Sequence, residues 1–391
     1  MNYEIIGKQS SELEDINSNK LPLLLLIMSI LFIPAAYVIA AAILIKVSVK
    51  NSLKRKLNLP TTLLYAYIAI GLISSEYKII SVFFGMLIML CAHSFNIFST
   101  YFPLKDLSKV KKYLYIISLL VFLYGIFQFI NPNFIIPAKW IDTTEYNLNK
   151  RIYSTFFNPN VFGFYLNFII LLACESLNIR KLNLEWSVFF SAIICLVLTF
   201  SRTAWISLII TLIIAGFINK KYFKYALIVA VIIFSSDLLL GSGRIDPTKA
   251  INDSSLIYRF QIWKASIEII RDNFISGIGF GTLFMHIGDY TNSVSINIEH
   301  NHSMYLQIFT ETGILGFAIF TYYLISIFKY FNDEFTENQK HLLAPITILI
   351  MTLIHGLADS VALTPQIMMI LSIYSGIIKS TIKRNKSSID C

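Results

Sequence analysis

A chain of 391 residues that is 56% hydrophobic and only 14% charged, with a mean hydropathy of +0.66, is too apolar for a soluble globular domain. It reads as a polytopic membrane protein. The net charge of +9 does not indicate nucleic acid, because the basic residues sit in short connectors between apolar runs, as cytoplasmic loops do.

The polar, acidic tail 1–20 has no signal-peptide character. Apolar runs follow at 21–45, 60–74, 79–98, 113–130, 160–177, 187–200, 203–218, 225–240, 303–328, 341–358 and 365–380. The first contains Pro22 and Pro34 and reads either as one span or as a tight hairpin. The expected fold class is therefore all-α, a polytopic transmembrane helical bundle of about 11–12 spans. Lys46 to Lys56, Lys105 to Lys112, Arg180-Lys181, Lys220 to Lys224 and the Lys379 to Lys386 tail belong inside by the positive-inside rule. The segments 75–78, 131–159, 201–202, 241–302 and 359–364 are then outside. The run 187–218 must turn back at Ser201-Arg202, because basic pairs flank it on both sides. The predicted units are the tail 1–20, transmembrane helices over 21–240, an extracytoplasmic loop 241–302, and transmembrane helices plus a basic tail over 303–391. Cys91, Cys174, Cys195 and Cys391 are scattered and imply neither a disulfide framework nor a metal site.

The polar stretch from Gly241 to Gly316 stands out against this background. Within it, Ser255 to Arg271 has Leu256, Phe260, Trp263, Ile267 and Ile270 on one stripe, which predicts an amphipathic helix along the bilayer surface. Arg259 and Trp263 are four apart, which suits either a cation–π contact or an interface anchor. Asn158-Pro159 reads as an N-cap and first helical residue, with Asn160 following, so a helix starts at the outer face. Arg151 before it, Arg202 between two apolar runs, and Arg259 give three outer guanidiniums suited to a phosphate group. Arg202 is the sharpest of these, since arginine among apolar spans is costly. His300 and His302 could ligate a metal, act as proton acceptor or donor, or be solvated loop residues. With Glu299 the only nearby carboxylate, no third ligand has suitable spacing, and the expectation is no metal and no cofactor. Glu311, in the next span, could orient a histidine. Asp359, after His355-Gly356 on the outer side, is a further carboxylate candidate. Tyr153, Phe156, Phe157 and Tyr305 could stack on sugars or sit in an interface belt.

Four blocks in register carry a resemblance. They are Arg151…Asn158-Pro159-Asn160-Val-Phe162-Gly163, Leu198-Thr-Phe-Ser201-Arg202, Ser255…Arg259…Trp263…Gly277-Ile-Gly279-Phe-Gly281, and His300-Asn-His302…Leu306-Gln307…Glu311-Thr-Gly313…Gly316. Over roughly residues 110–380 the chain resembles the O-antigen ligase / O-antigen polymerase superfamily of bacterial polysaccharide assembly. The resemblance implies a GT-C-like bundle with a large external loop, in the bacterial inner membrane. It implies transfer of a glycan from an undecaprenyl-diphosphate-linked oligosaccharide, without a nucleotide sugar. The family's diphosphate-holding arginines map onto Arg202 and Arg259. Counting back from Leu306 places the family's loop histidine at His302, with Ser303 where asparagine is usual, and His300 in the preceding position.

The expected activity is thus a metal-independent, inverting glycosyltransferase of the polymerase type. Arg202, Arg259 and Arg151 face the diphosphate, and His302 serves as base. The alternative is a ligase that delivers the glycan to lipid A core or another anchor. A flippase or transporter is disfavoured, because the polar chemistry gathers on one face and no repeat is evident. A flippase and a chain-length regulator are expected partners.

Overall fold

The computed structural model describes residues 20–50, 59–101, 107–143, 145–146, 148–177, 183–250, 253–291 and 300–389. Segment 292–299 and much of the basic connector after Lys46 lie outside the described residues. Thirteen helices of eight residues or more organise the described residues. In chain order they are α1 (Lys20–Leu31), α2 (Ile33–Lys50), α3 (Leu59–Ile73), α4 (Lys78–Tyr101) and α5 (Leu107–Ile130). Then come α6 (Pro159–Ser176), α7 (Leu184–Leu198), α8 (Arg202–Ile218) and α9 (Lys221–Leu240). The last four are α10 (Ser254–Asp272), α11 (Leu283–Tyr290), α12 (Met304–Ala358) and α13 (Pro365–Ile389). The described residues form no β-sheet, only an isolated bridge between Asp142 and Leu148.

Five described helical stretches are long and apolar enough to cross a membrane, and five shorter apolar ones accompany them. The α6 helix is the centre: nearly all of its residues are buried against neighbouring helices. A helix that is apolar all round suits such a position. Its Phe162, Phe164, Tyr165 and Phe168 fill the core against α5, α7 and α12.

The first apolar run breaks at Phe32. Pro34 has no amide to give Ile30, and the Ile30 carbonyl instead accepts from Thr155 Oγ1 and Gln366 Nε2. The run 187–218 divides as expected, with α7 ending at Leu198 and α8 starting at Arg202. Trp205 Nε1 reaches back 2.9 Å to the Leu196 carbonyl, closing that reversal.

A straight helix as long as α12, 55 residues, would measure about 82 Å. Yet Tyr305 Oη donates to the Leu353 carbonyl at 2.9 Å, and Tyr330, Phe331 and Ile346 share one cluster with Leu342. The helix therefore doubles back between Glu334 and Leu342, giving the two spans read at 303–328 and 341–358. This fold-back brings the two ends of α12, His302 and Asp359, side by side.

Candidate active site

Four helices begin at one end of the bundle around a single cavity: α6, α8, α10 and α12. Local sequence fixes each start. Asn158 caps α6 by accepting from the Asn160 amide, with Pro159 following, as expected. Asp253 caps α10 through the amides of Ser255 and Leu256. Residues just before three of the helices adopt left-handed backbone: Phe157 (φ 56), Phe200 (φ 51) and His302 (φ 49). Such conformations are costly for side chains of this size and collect where a site needs them. Converging helix N-termini present partial positive charge to the cavity.

The cavity encloses about 990 Å³ and is lined by Arg151, Arg202, Arg244, Arg259 and His302 among others. The three arginines picked out in the sequence are thus brought together, although they come from the loop before α6, from α8 and from α10. Arg151 Nε donates to the Thr199 carbonyl at 2.8 Å and its Nη2 to Asn160 Oδ1 at 3.1 Å. Arg202 Nη1 donates to Tyr146 Oη at 2.9 Å, and Nη2 to Ser255 Oγ at 3.1 Å while also pairing with Asp253. Arg259 Nη1 donates to the Ala358 carbonyl at 2.7 Å, and its Nη2 lies 3.8 Å from Asp359 Oδ2. Burial, with Arg244, Arg259 and Arg202 nearby, pushes the Arg151 guanidinium down to about 9. The other wall is apolar and includes Ile206, Val231 and Phe234, each more than half exposed on the outside of α8 and α9.

Asp359, only a weak candidate in the sequence, is the hub. It is fully buried, accepts from Asn160 Nδ2 at 2.9 Å, and lies 3.6 Å from His300 Nε2 and 3.8 Å from His302 Nδ1. Burial alone would raise its pKa; His302, His300 and Arg259 outweigh it and hold the carboxyl far below its ordinary range. The three groups of His300, His302 and Asp359 come within 4.8 Å of one another, close enough to hold a metal ion. The expectation that no third ligand accompanies the histidines is thus corrected: fold-back of α12 supplies one.

Asn301, between the histidines, was also missed. It is fully buried and its four hydrogen-bonding groups are all engaged. Its amide donates to Gln307 Oε1 and its carbonyl accepts from Trp263 Nε1, at 2.7 and 2.9 Å. Its side chain accepts from Ser266 Oγ and donates to Thr310 Oγ1. Anchored inward there, the chain turns both flanking histidines toward Asp359, with ring centroids 4.4 Å apart.

Other readings change. Trp263 makes no cation–π contact with Arg259 among the described residues; it holds Asn301 and packs edge-on to Phe260. On α10 the buried stripe is Ile262, Ala265, Ser266 and Ile269, while Phe260 and Ile267 of the predicted stripe are exposed. The helix carries two apolar faces, and periodicity alone does not say which one meets protein. Glu311 touches neither histidine. Its carboxylate accepts from the Gly281 amide and from Gln307 Nε2, and Gly279 donates to its carbonyl. It thereby clasps the glycine-rich turn, where a Cβ on Gly277 (φ +70) would fall 2.4 Å from the Glu311 carbonyl carbon. Through Gln307 it reaches Asn301 at one remove. Phe156 is core, stacked on Phe162, so it is closed to sugars.

Residues 187–321 match the family model described as O-Antigen ligase. The match supports the superfamily resemblance seen in the sequence motifs. The matched stretch supplies Arg202, Arg244, Arg259, His300 and His302, whereas Arg151, Asn160 and Asp359 join the site from outside it. No curated protein matches the chain.

Proposed function

We propose that this protein is a membrane glycosyltransferase that moves a glycan from a lipid diphosphate to an acceptor hydroxyl. The observation that carries this reading is the cavity itself, with four guanidiniums and four helix N-termini on one side and an apolar wall open to lipid on the other. Arg151, Arg202, Arg244 and Arg259 face two carboxylates, Asp253 and Asp359, and Lys139 and Asp246 in the lining cancel. Two positive charges remain, which matches the two acidic oxygens of a diphosphate diester. The apolar wall suits a polyprenyl chain such as undecaprenyl.

In the proposed step the acceptor oxygen attacks the anomeric carbon as the bond from that carbon to the diphosphate oxygen breaks. The electron pair leaves on the diphosphate, where fixed guanidiniums stabilise charge as it develops. His302 takes the acceptor proton. Its buried Nδ1 faces Asp359, which stabilises the imidazolium that forms, and Nε2 is the nitrogen left to receive the proton. One displacement inverts the anomeric configuration. No divalent cation is assigned to the step. A cation among His300, His302 and Asp359 would sit beside Arg259, which already lies 3.8 Å from that carboxylate.

We assign the acceptor as a further lipid-linked repeat unit, making a polymerase of O-antigen or capsule that faces the extracytoplasmic side of the bacterial inner membrane. It would work with a flippase and a chain-length regulator. A ligase that delivers the glycan to lipid A core is the second reading, and the description of the matched family supports it at least as well. Purified protein in detergent, given undecaprenyl-diphosphate-linked repeats with or without lipid A core, tests all of this. A ladder of repeats identifies a polymerase, a core conjugate a ligase, and no product in either mixture sinks the enzyme reading. His302→Ala should lower turnover by about 10²–10⁴-fold, with a smaller loss for His300→Ala. Equal product from His302→Ala removes the base assignment. Loss of product with EDTA installs a metal at the His300, His302 and Asp359 cluster.

A further inference from the structure

The four arginines of the cavity are not equivalent. Arg202 and Arg259 each have a carboxylate partner, Asp253 and Asp359, and both carboxylates are buried. Arg151 and Arg244 form no ion pair among the described residues. Arg151 has only neutral acceptors, the Thr199 carbonyl and Asn160 Oδ1. Arg244 is 9% exposed and lines the cavity, and its Nε is buried without a hydrogen-bond partner. Its guanidinium lies 4.3 Å from the centre of the Tyr146 ring. Asp237 fixes the backbone that delivers it, accepting from the Arg244 amide at 3.2 Å and the Ile245 amide at 3.2 Å. Buried charge without a partner is among the costliest arrangements in a protein. Here burial and the neighbouring Arg202 both lower the Arg244 pKa. A rigidly supported, unpaired guanidinium aimed into a cavity is what an anion site looks like before its anion arrives.

We propose that Arg244 is a binding residue for the lipid-borne anion, and that Arg151 and Arg244 neutralise its charge while the carboxylate-paired Arg202 and Arg259 set its position. This rests on the lipid-diphosphate reading above and divides the work within it. Tyr146 is the shared brace. Its ring carries Arg244, and its hydroxyl accepts from Arg202 and donates to Asp253 at 2.6 Å. An anion entering the cavity is held by Arg244 without breaking the Arg202–Asp253 pair.

The two classes of arginine respond oppositely to removal. Without ligand, Arg244→Met takes away an unpaired charge and relieves repulsion, so melting temperature in detergent should stay level or rise. Arg202→Met strands Asp253 as a buried, unpaired carboxylate, so melting temperature should fall. Binding is then measured by thermal stabilisation with undecaprenyl diphosphate and, separately, with inorganic pyrophosphate. Affinity for the lipid should drop on the order of 10- to 100-fold in Arg244→Met, the range of a lost charge-assisted hydrogen bond, with Arg244→Lys in between. Pyrophosphate should show the same order of variants at weaker affinity, because it lacks the chain that meets the apolar wall. Pyrophosphate binding as tightly as the lipid would show a free rather than a lipid-borne anion and overturn that part. An Arg244→Met protein that is less stable than wild type without ligand, or binds the lipid equally well, overturns the role of Arg244 alone. A wild type that takes up neither anion brings down the functional reading together with this one.

Discussion

Trp263 Nε1 donates to the carbonyl oxygen of Asn301 across 2.9 Å, tying α10 to the histidine loop. The same helix carries Arg259 into the cavity, so one rigid element places both a cavity-lining guanidinium and the backbone between the two histidines. Positioning of this kind puts reactive groups on regular structure rather than on a free loop.

Asn301→Ala tests that coupling. The substitution removes the bonds to Ser266 and Thr310 from a fully buried site. A cost of about 1–3 kcal/mol in stability is expected. Turnover should fall on the order of tenfold or more, because the histidines lose their register. Donor affinity should be unchanged, since no arginine contact is touched. A parallel loss of donor affinity would mean that Asn301 supports the whole cavity rather than the histidines.

Arg202→Lys keeps the charge and still should lose most activity. Arg202 uses two nitrogens at once, Nη1 on Tyr146 and Nη2 on Ser255 and Asp253, and a single ammonium cannot span that fork. Arg259→Ala should also abolish transfer, with membrane insertion unchanged. Normal chain lengths from both variants in cells would refute the donor-site assignment.

Asp253 predicts an acid limb of stability. Burial would raise its pKa, but hydrogen bonds from Ser255, Tyr146 and Arg202 outweigh this and hold it well below the ordinary range. A carboxyl depressed in the folded state stabilises the fold above its unfolded value of about 3.9 and loses that contribution as pH falls toward the folded value. Melting temperature should therefore drop below about pH 4 in the wild type. Asp253→Asn should start lower at pH 7 and show a shallower drop. Parallel curves for the two proteins would mean the group contributes no linkage.

Topology can be checked with single cysteines in a cysteine-free background. Thr248→Cys lies on an exposed part of the segment after α9 and should label with an impermeant reagent in intact cells. Lys220→Cys, exposed between α8 and α9 at the opposite end of α9, should label only after permeabilisation. The reverse pattern would invert the membrane orientation.

The sequence by itself determined the run of helices, the reversal at Ser201-Arg202, the helix start at Asn158-Pro159 and three of the four cavity arginines. These follow from local signals: apolar run length, basic connectors, capping chemistry and the cost of arginine among apolar residues. Only the tertiary structure decided what those residues do to one another. Asp359 lies 199 positions from Asn160, yet the two side chains meet at 2.9 Å, because α12 doubles back on itself and lands beside the start of α6. Arg244 is set in place by the ring of Tyr146, which comes from a segment 98 positions earlier. The two apolar faces of α10 are equally helical in period, and the one that packs was chosen by the neighbours available, Asn301 and α11. Pairing across such distances is set by helix packing, which no local window of residues encodes, so the histidines and Asp359 were legible as separate candidates while their meeting in one cluster was not.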